Sequence, residues 1–147
     1  MIKVLIVDDQ ALIREGLSLM LDLYDEIEIA GEANNGEEAI DFLKKEEIDV
    51  ILMDIRMPVM DGVEATKVIK EKYPNTRVII LTTFNEDEYI FKGLKNGADG
   101  YILKDVSSKE LVNIIKSVHN GEILFHGDVA KTIASAVVDR KGDRKED

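Results

Sequence analysis

The chain has 147 residues, a length suited to one domain with a short appendage. It carries 30 acidic against 19 basic residues, a formal charge of −11 that repels nucleic acid and anionic membranes and argues against direct DNA binding. With no Cys, it can form neither disulfides nor thiolate metal sites, and with no Trp and 5% aromatic residues a base-stacking platform is disfavoured.

The first apolar run, Ile2–Val7, is ended by Asp8-Asp9, too early for a signal-peptide core or a membrane-spanning helix. A soluble, cytoplasmic protein is therefore expected. The run reads as a strand, and its nearly continuous aliphatic character suits burial on both faces. Ile13, Leu17, Met20, Leu21 and Tyr24 then recur at helical spacing. Ile27-Glu28-Ile29-Ala30 alternates, as an edge strand with one wet face would. Ala39, Phe42 and Leu43 mark a second helix, and Val50–Met53 a buried third strand. Ala65, Val68, Ile69 and Tyr73 form the next helical stripe, closed by Pro74-Asn75. Val78–Leu81 is the fourth strand, followed over Glu86–Lys95 by a weaker helix with little apolar surface beyond Ile90, Phe91 and Leu94. Tyr101-Ile102-Leu103 is a short fifth strand, placed at the other edge. Leu111, Ile114, Ile115 and Val118 form the last strong stripe, opened by a capping box of Ser107 and Glu110 and stopped at Asn120-Gly121.

The five runs begin at Ile2, Ile27, Val50, Val78 and Tyr101, with room between them for one helix and two loops. Alternating strands and helices of this spacing predict an α/β fold with a parallel sheet, doubly wound rather than closed into a barrel. The domain is drawn over residues 1–121. Residues 122–147 read as a linker with a short amphipathic stretch (Val129, Ile133, Ala136, Val137), and the almost wholly charged Asp139–Asp147 as disordered.

In open parallel sheets, ligands bind beyond the carboxyl ends of the strands. There this chain has Asp8-Asp9 after strand one, Asp54 after strand three, Thr82-Thr83 at strand four and Lys104 after strand five. Clustered carboxylates repel one another, and a hard cation such as Mg²⁺ relieves the conflict while letting an anionic phosphoryl group approach. Asp54 could then attack phosphorus, with Lys104 and the Thr82 hydroxyl contacting phosphate oxygens. Each residue alone has a plainer explanation: a helix cap or turn for the aspartates, a satisfied strand-end hydroxyl for Thr82, a solvated lysine for Lys104. Their convergence on one sheet edge favours the chemical reading.

The pattern resembles the receiver domain of two-component response regulators. The likeness rests on Val7-Asp8-Asp9, Met53-Asp54, Met57-Pro58-Val59-Met60-Asp61-Gly62, Leu81-Thr82-Thr83 and Gly97–Lys104, in that order over roughly residues 1–121. Leu81–Phe84 and Gly100–Asp105 are most similar to the NarL/LuxR-type subfamily, whose output is a C-terminal helix-turn-helix domain. The resemblance implies a five-stranded sheet of flavodoxin-like order 2-1-3-4-5 with helices on both faces. It implies that Asp54 accepts a phosphoryl group from a sensor histidine kinase, and that Asp8, Asp9, Asp54 and the carbonyl of Arg56 hold Mg²⁺. Lys104 would contact the phosphoryl group, and Thr82 with Tyr101 would form the switch pair. The implied activity is that of a signalling switch, not an enzyme beyond its own phosphorylation and dephosphorylation. Homodimerisation on phosphorylation is a further implication, and the remainder after Gly121 is too short for the DNA-binding output.

Two features depart from the family pattern. Asp105 follows the lysine where many receivers carry a cis proline, so the isomer of that bond is left open. Arg56 and Phe84 are bulky at positions where the family tunes access of hydrolytic water, which implies slow self-dephosphorylation. Rival classes fit less well. A mononucleotide-binding module lacks its Gly-rich phosphate loop here, a phosphohydrolase would want a carboxylate where Arg56 stands, and a self-sufficient transcription factor would need a basic recognition helix.

Overall fold

A computed structural model describes residues 1–82 and 92–125. The chain runs β1 (Ile2–Val7), α1 (Ala11–Leu21), β2 (Ile27–Ala33), α2 (Gly36–Leu43), β3 (Val50–Met53), α3 (Gly62–Lys72), β4 (Arg77–Thr82), β5 (Gly100–Leu103), α4 (Ser108–His119) and β6 (Leu124–Phe125). All strand pairings are parallel, in the order β2-β1-β3-β4-β5-β6. Successive side chains of a strand point to opposite faces, so β1, β3 and β4 feed two cores at once. Leu5, Val7, Ile51, Met53, Val78 and Ile80 pack with Ala39, Leu43, Ala65 and Ile69 of α2 and α3. Val4, Ile6, Val50, Leu52, Ile79 and Leu81 pack with Leu21 of α1 and with Leu111, Ile115 and Val118 of α4. Burial on both faces is why these strands are apolar over nearly their whole length. β2 alternates because it is an edge, with Glu28 and Glu32 exposed.

The expected doubly wound sheet is present, with one strand added. β5 is not an edge: Leu124–Phe125 pairs with Gly100–Tyr101 as a two-residue β6. Such a strand is too short to show a period, and it lies past the drawn boundary at residue 121. The first half of the weak helix expected over Glu86–Lys95, together with Thr83, Phe84 and everything after Phe125, lies outside the described residues. Residues 92–95 are helical.

Helix ends follow the local chemistry. Asn35, Asp61 and Ser107 each accept a hydrogen bond from the backbone N–H three residues on, at 2.9, 2.8 and 3.2 Å, and so cap α2, α3 and α4. The Ser107 hydroxyl also donates to Glu110 Oε1 at 3.3 Å. Helix α4 ends before Gly121, whose φ of +102° suits a residue without Cβ. At the amino end of the sheet, Asp99 Oδ2 accepts from Val78 N–H at 2.9 Å and from Lys70 Nζ at 3.0 Å, tying α3, β4 and the start of β5 together.

Candidate functional site

Register brings the acidic residues together. Val7 of β1 stands beside Met53 of β3, and Asp54 N–H donates to the Val7 carbonyl at 3.0 Å. Asp8 and Asp54 therefore leave adjacent strands at one level, although 46 residues separate them in sequence. Oxygens of Asp8, Asp9 and Asp54 lie within 4.8 Å of one another. Asp8 and Asp54 are only 2% and 8% exposed, whereas Asp9 is open to solvent. On the far side of β3, Thr82 pairs with Leu103 and its carbonyl accepts the Lys104 N–H at 2.8 Å. Lys104 Nζ reaches across to Asp8 Oδ2 at 2.8 Å and Asp54 Oδ2 at 3.6 Å.

The electrostatics of Asp54 follow from this packing. Burial pushes its carboxyl from the ordinary 3.8 up to about 6. The Lys104 ammonium opposes the rise, the Asp8 carboxylate adds to it, the Ile55 N–H bonded to Asp54 Oδ1 at 2.9 Å opposes it, and Asp9 adds again. One lysine facing three carboxylates leaves the pocket short of positive charge, and an all-oxygen donor set of this kind matches a hard divalent cation. Arg56 is exposed on the loop after Asp54, Thr82 is fully buried at the end of β4, and Tyr101 is fully buried on the α2–α3 side of the sheet. Its ring faces Gly93: a Cβ built there would lie 3.5 Å from Tyr101 Cδ2. The Lys104–Asp105 bond is trans, since no described peptide bond is cis.

A family model described as the response regulator receiver domain matches residues 4–116. The chain belongs to that family. Among curated relatives of this receiver, a transcriptional regulatory protein, LnrK, of Bacillus subtilis (strain 168) is 46% identical over 125 residues, covering 85% of this chain and 57% of LnrK. The response regulator VraR of Staphylococcus saprophyticus is 40% identical over 128 residues, covering 87% of this chain and 61% of VraR. The chain thus spans about three-fifths of the length of these relatives. Among solved structures, a LuxR-family response regulator from Aurantimonas superposes with a TM-score of 0.86 at 28% identity, over 92% of this chain and 97% of that one. The receiver domain of a putative NarL from Mycobacterium tuberculosis gives 0.78 at 32% identity, over 82% and 98%. These relatives place the receiver in the NarL/LuxR-type group.

Motif spacing did not reveal the roles of two receiver residues. A Cβ on Gly62 would sit 2.0 Å from the Asp54 carbonyl oxygen, so only glycine lets α3 start this close to the end of β3. Its N–H donates to the Ile55 carbonyl at 2.7 Å, closing the loop that carries Asp54. In the sequence Gly62 stands out only as part of the Met57–Gly62 resemblance, with no sign of this approach. Arg14 donates to the Asp8 carbonyl through Nη1 at 2.6 Å, and nothing in the spacing of α1 pointed to it. The same loop after β3 holds Val59 at a φ of +71°, the one non-glycine positive φ among the described residues.

Proposed function

We propose that this receiver is a phosphorylation switch, with Asp54 as the phosphoacceptor in a Mg²⁺-dependent reaction. The observation that carries the reading is the convergence of Asp8, Asp9 and Asp54 with Lys104 bridging Asp8 and Asp54. An Asp54 carboxylate oxygen attacks the phosphorus of a phosphohistidine on a sensor kinase. The P–O bond forms as the P–N bond breaks, and the electron pair stays with the imidazole. Asp8, Asp9, Asp54 and the Arg56 carbonyl would hold the ion, which when bound supplies charge neutralisation to the incoming phosphoryl oxygens. Lys104 is within reach to transfer its ammonium from Asp8 and Asp54 to a phosphoryl oxygen. Thr82, one strand away, offers a hydroxyl to another, with Tyr101 as its partner in the switch. Arg56, beside the nucleophile, restricts attack by water and prolongs the phosphorylated state.

The longer proteins to which this receiver is similar have about two-fifths of their length outside the match. We place this receiver, whose sheet extends to Phe125, in a cytoplasmic regulator whose C-terminal DNA-binding domain responds to the phosphoryl charge, with the residues after that strand as the connection. Dimerisation on phosphorylation couples the two. No described helix is long and apolar enough to cross a membrane.

Intact-mass measurement after incubation with a small acyl phosphate tests the reading. One phosphoryl addition is expected, requiring Mg²⁺ and abolished by Asp54→Ala. Labelling that survives in that variant would move the acceptor elsewhere. No labelling under any condition would overturn the switch.

A further inference from the structure

Asp8 is held at three points. Its Oδ1 accepts from Gln10 N–H at 2.9 Å and its Oδ2 from Lys104, while its main-chain carbonyl accepts from Arg14 Nη1. That carbonyl lies just beyond the last paired residue of β1, so the ladder with β3 does not use it. Arg14 is itself fixed. Its Nε donates to Glu32 Oε1 at 3.2 Å, near the end of β2, and Ser18 donates to Glu32 Oε2 at 3.4 Å from one turn further along α1. The Arg14 side chain is 14% exposed. A planar guanidinium with two faces of its fork engaged is a stiff strut, joining α1, the edge strand and the acidic turn. Helix α1 has no side-chain cap and no acidic residue in its first turn, so Arg14 also anchors the helix to the loop that precedes it.

We infer that Arg14, braced by Glu32, is a positioning residue for the divalent-cation site: it fixes the Asp8-Asp9 turn in the geometry that binds the ion. The inference rests on the cation reading of the three aspartates. Two physical effects of Arg14 oppose each other and give the test its sign. As a nearby positive charge it disfavours a cation, so charge alone predicts that Arg14→Met tightens binding and Glu32→Gln loosens it. As a strut it favours the cation, so positioning predicts that both substitutions loosen it.

The experiment follows the Asp9 and Gln10 amide resonances during a Mg²⁺ titration, with no phosphodonor, in the wild-type protein, Arg14→Met, Arg14→Lys and Glu32→Gln. Wild-type binding is the reference, and its absence would overturn the cation reading itself. With wild-type binding intact, Arg14→Met is expected to raise the half-saturating Mg²⁺ concentration about 10-fold, within the range for residues that orient metal ligands. Arg14→Lys, which keeps the charge but makes at most one of the two contacts, should fall between, and Glu32→Gln should weaken binding as well. Phosphorylation by an acyl phosphate should need correspondingly more Mg²⁺, while the rate at saturating Mg²⁺ stays within about twofold of wild type, a split between binding and chemistry. Thermal unfolding without Mg²⁺ separates misfolding from misplacement. Unchanged or tighter Mg²⁺ binding by a folded Arg14→Met protein, or a fall in the saturated rate alone, would overturn the positioning role.

Discussion

Asp54→Asn is expected to stabilise the fold at neutral pH, although it removes the acceptor. In the native state the Asp54 carboxyl titrates at about 6 against an ordinary 3.8. Between these values the native state keeps the proton and the unfolded chain has lost it. Unfolding therefore releases a proton, and stability falls as pH rises through this window. The difference of about two units corresponds to about 3 kcal/mol at about 1.4 kcal/mol per unit, fully present below pH 4 and lost above pH 6. The asparagine cannot ionise, keeps the size of the side chain and leaves Lys104 paired with Asp8. Urea unfolding of both proteins from pH 4 to pH 7.5 should thus show the variant gaining on the wild type across the window, to about 3 kcal/mol at the upper end. Mg²⁺ should shrink the gap, because it binds the native carboxylate and stabilises the wild type by mass action. Parallel pH profiles, or a variant that is less stable at pH 7.5, would refute the argument that burial strains the Asp54 charge.

Other positions give contrasting outcomes. Gly62→Ala should destabilise the domain by about 3 kcal/mol or more in denaturant unfolding, because the methyl group meets a backbone carbonyl that cannot step aside. Val59→Asn should stabilise it by about 1 kcal/mol, since a β-branched residue is costly at positive φ and Asn tolerates that region. Little burial is lost, because Val59 is 76% exposed. Lys70→Met should cost about 2 kcal/mol by leaving the buried Asp99 short of a cation, although Arg77 Nη1 stands 3.7 Å from its other oxygen. Its rate of phosphorylation by an acyl phosphate should match that of wild type, because the pair lies at the opposite end of the sheet from Asp54.

What could be read in advance depended on whether the signal was periodic or contact-based. Strands β1, β3 and β4 announce themselves because two-sided burial forces nearly continuous apolar runs, and β2 because it is wet on one face. The acidic residues stood out because each follows such a run. β6 escaped because two residues carry no period, and its pairing with Gly100–Tyr101 depends on a turn at Gly121 that sends the chain back along β5. Lys104 was legible as a phosphate partner but not as the bridge between Asp8 and Asp54, since that contact spans 96 residues. Arg14 sits on a helix whose stripe gave no reason to single out one basic residue, and its role exists only once Glu32 is beside it.

The two margins of the sheet have a consequence for assembly. At one, β2 breaks its register against β1 between Val4 and Leu5 and turns Glu28 and Glu32 outward. At the other, β6 offers only two residues, fewer than a stable ladder requires. A kinked, acidic margin and a truncated one are poor templates for strand addition from a neighbouring molecule. Among the described residues, then, two copies have no flat border along which to merge their sheets. Any pairing that accompanies signalling is left to helical and loop surfaces, where it can form and dissolve without passing through an amyloid-like seam.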